Sequence, residues 1–204
     1  MAKKYGLAPT YRWRWPTYAE QWDKMQLKQS AARDLASFLR RAQAGKARYE
    51  EVQRRTTNEG KHTGVPWWLI AIIAERESGQ NWSRSLAQGD RWDRVSRNVP
   101  RGRGPFNSWE DAAVDALHLD ELDVIPDWTL EKALFALERY NGWGYFYHNV
   151  PSCYVWAGTT IQCPGKYTSD GHWNGRAWDT QLGGAAMLRT LMNADSTIQP
   201  VRET

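Results

Sequence analysis

The run Val65–Ala74 limits the fold more than any other stretch of this chain, because it is apolar on every side and is followed at once by Glu75-Arg76-Glu77-Ser78-Gly79. Val65-Pro66 suits a helix start, with proline placed for the first turn. The segment then runs Trp67 to Glu77 and stops before Ser78-Gly79. A helix apolar all round for about two and a half turns must cross a core rather than lie on a surface. The run is too short to span a bilayer, which takes about 20 apolar residues. The start, Met1-Ala2-Lys3-Lys4-Tyr5-Gly6, has no apolar stretch of the signal-peptide kind, so none is expected.

Other segments read as helices by their spacing. Residues 28–44 place Leu35, Phe38, Leu39 and Ala42 on one face. Gly45 punctuates, and residues 46–56 continue as a second helix with Tyr49 and Val52 on one side. Thr57–Gly64 is a loop with Asn58, Gly60 and Gly64 as turn residues. Residues 79–107, rich in Gly, Pro, Asn and Arg, form a long loop. Ser108 caps a helix to about Glu121 over Ala112, Ala116 and Leu119. Thr129 caps another at 129–140 over Ala133, Leu134 and Leu137. A hairpin is expected around Gly158, and a last helix over 176–194 carrying Trp178, Leu182, Ala185 and Leu188. The fold class is mostly α with a small β-hairpin element. Residues 1–16 form a basic aromatic segment ahead of a single domain at 17–204.

Composition narrows the function. The 204 residues hold 13 Trp beside 9 Tyr and 4 Phe, more indole than a core of this size needs. A surface that stacks on flat ligands is one use for the excess. A net charge of +4 and pI near 9.1 favour a polyanionic partner: nucleic acid, anionic lipid or bacterial wall polymer. Tyr11-Arg12-Trp13-Arg14-Trp15-Pro16 alternates by twos and reads as a short extended segment. Its tryptophans are expected to pack on the domain with the arginines in water; weak contact with membrane or lipopolysaccharide is the alternative. Two cysteines, Cys153 and Cys163, make no disulfide scaffold, and either two thiols or one bridge would fit. GxSxG, HExxH and CxxC are absent, and Gly158–Lys166 has the wrong spacing for a phosphate loop. The four histidines, His62, His118, His148 and His172, keep no metal-ligand spacing, so neither metal nor cofactor is expected.

The chemistry-bearing candidate is Glu77. It lies seven residues after Ile70 and four after Ile73, so it continues a buried face. Partial desolvation disfavours the charged carboxylate and makes a general acid near neutral pH, as glycosidic cleavage requires. An ion pair with Arg76 or Arg84 is the plainer use of the same residue. Glu75, on the face of Trp68 and Ile72, competes but has no glycine turn just beyond it.

Ile72-Ile73-Ala74-Glu75-Arg76-Glu77-Ser78-Gly79 resembles the end of the catalytic helix in goose-type lysozymes and lytic transglycosylases. The wider pattern is similar to phage endolysin-like muramidases. It comprises Val65-Pro66-Trp67, Gln88-Gly89-Asp90, Val99-Pro100-Arg101-Gly102-Arg103, Ser108-Trp109-Glu110, Tyr140-Asn141-Gly142-Trp143-Gly144-Tyr145 and Gly165-Lys166-Tyr167. The resemblance runs from about Trp15 to the last helix. It implies a lysozyme-like fold that cleaves the β-1,4 bond between N-acetylmuramic acid and N-acetylglucosamine, with Glu77 as acid. Asp90 is then the candidate second carboxylate, to activate water or stabilise an oxocarbenium-like transition state, with Asp93 as alternative. Without a second carboxylate, the substrate's own hydroxyl would close an anhydro ring, as in lytic transglycosylases. Ser78, Tyr140 and Asn141 would bind substrate, Asn141 through an acetamido group, and Trp143, Tyr145 and Trp156 would stack on sugars.

The resemblance implies a monomeric enzyme acting on bacterial peptidoglycan, without cofactor. It would wait in the host bacterial cytoplasm until a holin opens the inner membrane to the periplasm. A catalytically silent wall-binding module and a nucleic-acid binder, the latter suggested by Arg101-Gly102-Arg103-Gly104, are the other classes, although no nucleic-acid fold motif is present.

Overall fold

The computed structural model describes residues 9–58, 61–87, 89–98, 100–169 and 171–203. Residues 1–8, Gly60, Gln88 and Val99, named above in the N-terminal segment, the 57–64 turn and two motifs, lie outside that set. About half the chain is helical, with one small two-stranded antiparallel sheet, so the fold is mostly α with a small β element. No helix among the described residues is long and apolar enough to cross a membrane. The chain divides into two compact units, one of Met1–Ser37 with Thr129–Thr204, the other of Phe38–Trp128.

The second unit is built on α2 (Ala32–Thr56) from Phe38 onward, α3 (Trp67–Ser78) and α4 (Trp109–Leu119). As the apolar run demands, every residue of α3 from Trp68 to Ala74 is buried. Full burial of each large aliphatic side chain there contributes roughly 2 kcal/mol relative to exposure. Phe38, Ala42, Tyr49 and Val52 of α2 are buried in the same unit. Gly45 does not break the helix as its composition suggests: α2 runs straight through it. A Cβ there would lie 2.7 Å from the Trp82 ring, so the glycine is a notch for close approach rather than a stop. The Ser108 hydroxyl accepts the Asp111 N–H at 3.0 Å and starts α4 where expected. The buried face of α4 is Trp109, Ala112, Ala113, Ala116 and Leu117, and Leu119 is 40% exposed instead of lying beneath.

The first unit contains α1 (Tyr11–Lys24), α5 (Leu130–Asn141), the short α6 (Gly144–Tyr147) and α7 (Cys153–Trp156), strands β1 (Lys166–Ser169) and β2 (His172–Asn174), and α8 (Gly184–Ala194). The Arg/Trp segment is helical, not extended. Its residues Tyr11, Arg14, Tyr18 and Trp22 recur at helical spacing, and tertiary anchors hold them. The Tyr18 hydroxyl and the Arg14 guanidinium both donate to the buried Glu138 carboxylate of α5, and the Tyr11 ring meets Phe135 edge-on. These anchors hold α1 despite Pro16 in its interior. The expected partition holds only in part: Arg12 is exposed and Trp15 half-buried, but Arg14 is packed, and Trp13 is 63% exposed with one edge on Phe146.

The hairpin lies at 166–174, not around Gly158, with Tyr167 opposite Trp173. Residues 153–156 are instead a helical turn whose side chains are all buried, and that burial overrides their β-like composition. Cys153 and Cys163 are free thiols. The last helix starts at Gly184, later than the spacing suggests, and leaves Trp178 in the preceding loop, 52% exposed under the Lys28 ammonium.

Candidate functional site

Glu77 occupies the last turn of α3 and is half-buried. The helix ends just beyond it on Gly79, whose φ of 61° is left-handed and free of penalty for glycine. The Gly79 N–H bonds the Glu75 carbonyl and the Gln80 N–H bonds the Ala74 carbonyl, each at 3.0 Å, which closes the end of the helix. Ser78 serves the same turn. Its hydroxyl donates to the Ala74 carbonyl at 3.1 Å and accepts the Asn81 N–H at 3.2 Å.

Gln80 also takes a left-handed conformation, with φ of 59°, although it carries a side chain. That geometry costs roughly 1 kcal/mol for a non-glycine residue. Buried hydrogen bonds offset the cost. The Tyr49 hydroxyl donates to Gln80 Oε1 at 2.8 Å, and Gln80 Nε2 donates to Glu75 Oε2 at 2.8 Å. Arg41 of α2 donates to both Glu75 oxygens, at 2.7 and 2.8 Å. Glu75, the competing acid, is therefore committed to a network that ties the turn after Glu77 to α2. Burial first, and the Glu75 charge second, push the Tyr49 hydroxyl well above its ordinary pKa, so it stays a donor. Arg41, Tyr49 and Gln80 carry no motif, and their long separation in the chain hid this network from the sequence.

The loop after α3 is held by indole N–H groups. Trp92 Nε1 donates to the Trp82 carbonyl at 2.7 Å, and Trp109 Nε1 to the Arg84 carbonyl at 3.1 Å. Tyr49, Trp82 and Trp109 pack as one aromatic cluster, with the Arg48 guanidinium 4.2 Å from the Trp82 ring centroid. The loop returns beside the end of α3, where a Cβ on Gly89 would stand 3.7 Å from the Glu77 carbonyl oxygen. Asp90 follows directly. Its carboxylate accepts the Arg97 N–H at 2.8 Å, the Asn98 N–H at 2.9 Å and Asn98 Nδ2 at 2.7 Å. These backbone donors hold the Asp90 carboxyl below its ordinary pKa, so it is ionised and a weak proton acceptor. Asp93 is paired with Arg91 at 2.8 Å.

The remaining candidates fall in the first unit. Tyr140 is half-buried and Asn141, the last residue of α5, is exposed before Gly142 at φ of 92°. The three proposed stacking rings are core residues. Trp156 is 1% exposed, Trp143 packs on Phe135, and Tyr145 lies under Tyr167 and Trp173 with the Cys153 thiol donating to its hydroxyl. A covered ring has no face to offer a sugar, and we assign Trp143, Tyr145 and Trp156 to packing. No group of three or more metal-ligating side chains occurs among the described residues. Comparison of the chain with family models, curated proteins and solved structures gives no match.

Proposed function

We propose that this chain is a peptidoglycan-cleaving muramidase of the endolysin kind, with a lysozyme-like fold and Glu77 as general acid. The supporting observation is the place of Glu77, half-buried in the last turn of α3 just before the left-handed Gly79. Glu75 is bound by Arg41 and Gln80 and has a structural role. Glu77 stands half-buried beside a rigid glycine turn, with the Asp90 loop against its backbone. A partly shielded carboxylic acid on a fixed turn suits protonation of a glycosidic leaving oxygen. The substrate is the β-1,4 bond between N-acetylmuramic acid and N-acetylglucosamine, reached when a holin opens the inner membrane.

The three donors on Asp90 favour a second reading. A carboxylate saturated by N–H groups is a poor base for water, so lytic transglycosylase chemistry, which needs none, is the alternative. Mass spectrometry of fragments released from purified sacculi tests both. Reducing muramic ends, lost in Glu77→Gln, are expected of a hydrolase. Anhydro ends, lighter by one water, would establish the transglycosylase. Glu77→Gln should cut release by at least about 100-fold with folding intact, because an amide N–H is far too weak an acid to protonate the leaving oxygen. Retained release would remove the acid assignment.

A further inference from the structure

One loop of this protein is rich in arginine. From Asp90 to Arg103 the chain carries five arginines against two aspartates, a net +3 in a molecule whose total is +4. Two of those arginines are neutralised: Arg91 by Asp93 at 2.8 Å, and Arg103 by Asp115 at 3.0 Å. Arg94, Arg97 and Arg101 are exposed and form no ion pair among the described residues, although Arg94 lies within the field of Asp93.

The segment that presents them is built rather than slack. Ser96 is buried at its centre. The Ser96 N–H bonds the Arg103 carbonyl at 2.9 Å, and the Gly102 N–H bonds the Ser96 carbonyl at 3.1 Å. The Ser96 hydroxyl donates to the Pro100 carbonyl at 2.7 Å and accepts the Arg103 N–H at 3.0 Å. Asp90 clamps the backbone of 97 and 98 from the other side. Guanidinium groups on a preformed loop lose little backbone freedom on binding, and their planar forks match carboxylates.

We infer that this loop is an anion-binding lip of the Glu77 site, with Arg94, Arg97 and Arg101 taking the free carboxylates of the peptides attached to the glycan strand. The inference rests on the muramidase reading, and Gly89 is where the loop meets the end of α3, a Cβ there standing 3.7 Å from the Glu77 carbonyl oxygen. Single-stranded nucleic acid, the other polyanion, is usually gripped by a basic groove interleaved with stacking rings. The aromatic side chains of this loop, Trp92 and Phe106, are mostly covered, and the Trp92 N–H is spent on the Trp82 carbonyl. Carboxylates on a wall polymer fit the surface better.

The test is sedimentation with insoluble sacculi, using the Glu77→Gln protein so that the polymer survives. Sacculi with free carboxylates are compared with the same sacculi after carbodiimide coupling to methylamine. Arg94→Gln, Arg97→Gln and Arg101→Gln are combined in the same background. Arg97 acts on Asp90 through its backbone N–H, which glutamine keeps, and a thermal melt checks folding. Binding at low salt should fall by about tenfold or more in the triple variant, and by as much for the parent on blocked sacculi. Both differences should shrink as salt screens the charges. Equal binding by parent and triple variant, or equal binding to free and blocked sacculi, would overturn the lip. So would tighter, arginine-dependent binding to an oligonucleotide than to sacculi. Digestion of sacculi by the wild-type protein, run alongside, separates the two claims. Digestion without an arginine effect leaves the enzyme and removes the lip; arginine-dependent binding without digestion leaves a carboxylate-binding loop and removes the muramidase reading.

Discussion

Two stretches of this chain, 79–107 and 141–174, are both rich in turn residues, and they use their aromatic rings in opposite ways. In 79–107 the indoles work by their polar edge. Trp92 and Trp109 donate to main-chain carbonyls of Trp82 and Arg84, and so hold a long irregular segment beside Glu77. In 141–174 the rings work by area. Trp143, Tyr145 and Trp156 are buried, and Tyr167 and Trp173 pack over Tyr145. Among the described residues of the two stretches no tryptophan is exposed, although 13 in the chain suggest a flat platform. An irregular loop leaves carbonyls without helical or sheet partners, and an indole supplies an apolar body and one N–H in a single residue. Trp128 does the same at the Gly64 carbonyl. A high tryptophan count can therefore mean much irregular backbone rather than a stacking ligand.

The largest contrast comes from Trp156→Ala. Truncating a ring that is 1% exposed should cost about 3–5 kcal/mol in denaturant-induced unfolding. The same change at Trp13, 63% exposed, should cost under about 0.5 kcal/mol. A stable Trp156→Ala protein that fails only to bind glycan would restore the ring to the substrate site and break the comparison.

Tyr49→Phe probes the polar side at a smaller cost. It leaves Gln80 Oε1 buried without the Tyr49 donor, a loss of about 1–3 kcal/mol. If the network positions the turn after Glu77, kcat on sacculi should fall well below the unfolding midpoint while KM holds. A loss of rate that merely follows the unfolded fraction would make the network structural only.

How far the sequence could be read follows the same divide. Helix α3 was legible because an apolar run without periodicity has one physical use. The starts of α4 and α5 were legible because Ser108 and Thr129 cap them locally, accepting the Asp111 and Lys132 N–H groups. The α1 helix was not, since its cause is Glu138, a buried carboxylate 120 residues from Tyr18. Gly45 misled because a breaker and a docking notch are the same letter. At the candidate site, the half-buried place of Glu77 at the end of α3 was visible from spacing, whereas the commitment of Glu75 depends on Arg41 and Gln80 from separate parts of the chain.

Trp92→Phe sharpens the comparison further. Phenylalanine keeps most of the packing and removes the N–H that meets the Trp82 carbonyl. The cost should be about 1 kcal/mol. It should appear as faster amide hydrogen exchange confined to 79–92, with α3 still protected. Unchanged exchange there would mean that packing alone holds the loop.

The smallest effect is a titration. Asp90 accepts two backbone N–H groups and one side-chain N–H, and those bonds hold its carboxyl below the ordinary aspartate value. A carboxylate whose pKa is depressed by folding stabilises the folded loop above its unfolded pKa. That stabilisation is lost as pH falls through the depressed value. The clamp on 97–98 should therefore be complete at neutral pH and release only in acid, below the ordinary aspartate range. Amide signals of Arg97 and Asn98 should shift together over that range while those of Trp68 to Ala74 do not. In Asp90→Asn the step should vanish, because an amide does not titrate there. The same variant bears on the chemistry. If Asp90 serves chiefly as a clamp, digestion of sacculi should fall only through loosening of the arginine lip. KM should then rise and kcat should stay. A collapse of kcat would instead put Asp90 back beside Glu77 as the second carboxylate, with its three donors holding it ionised for the transition state.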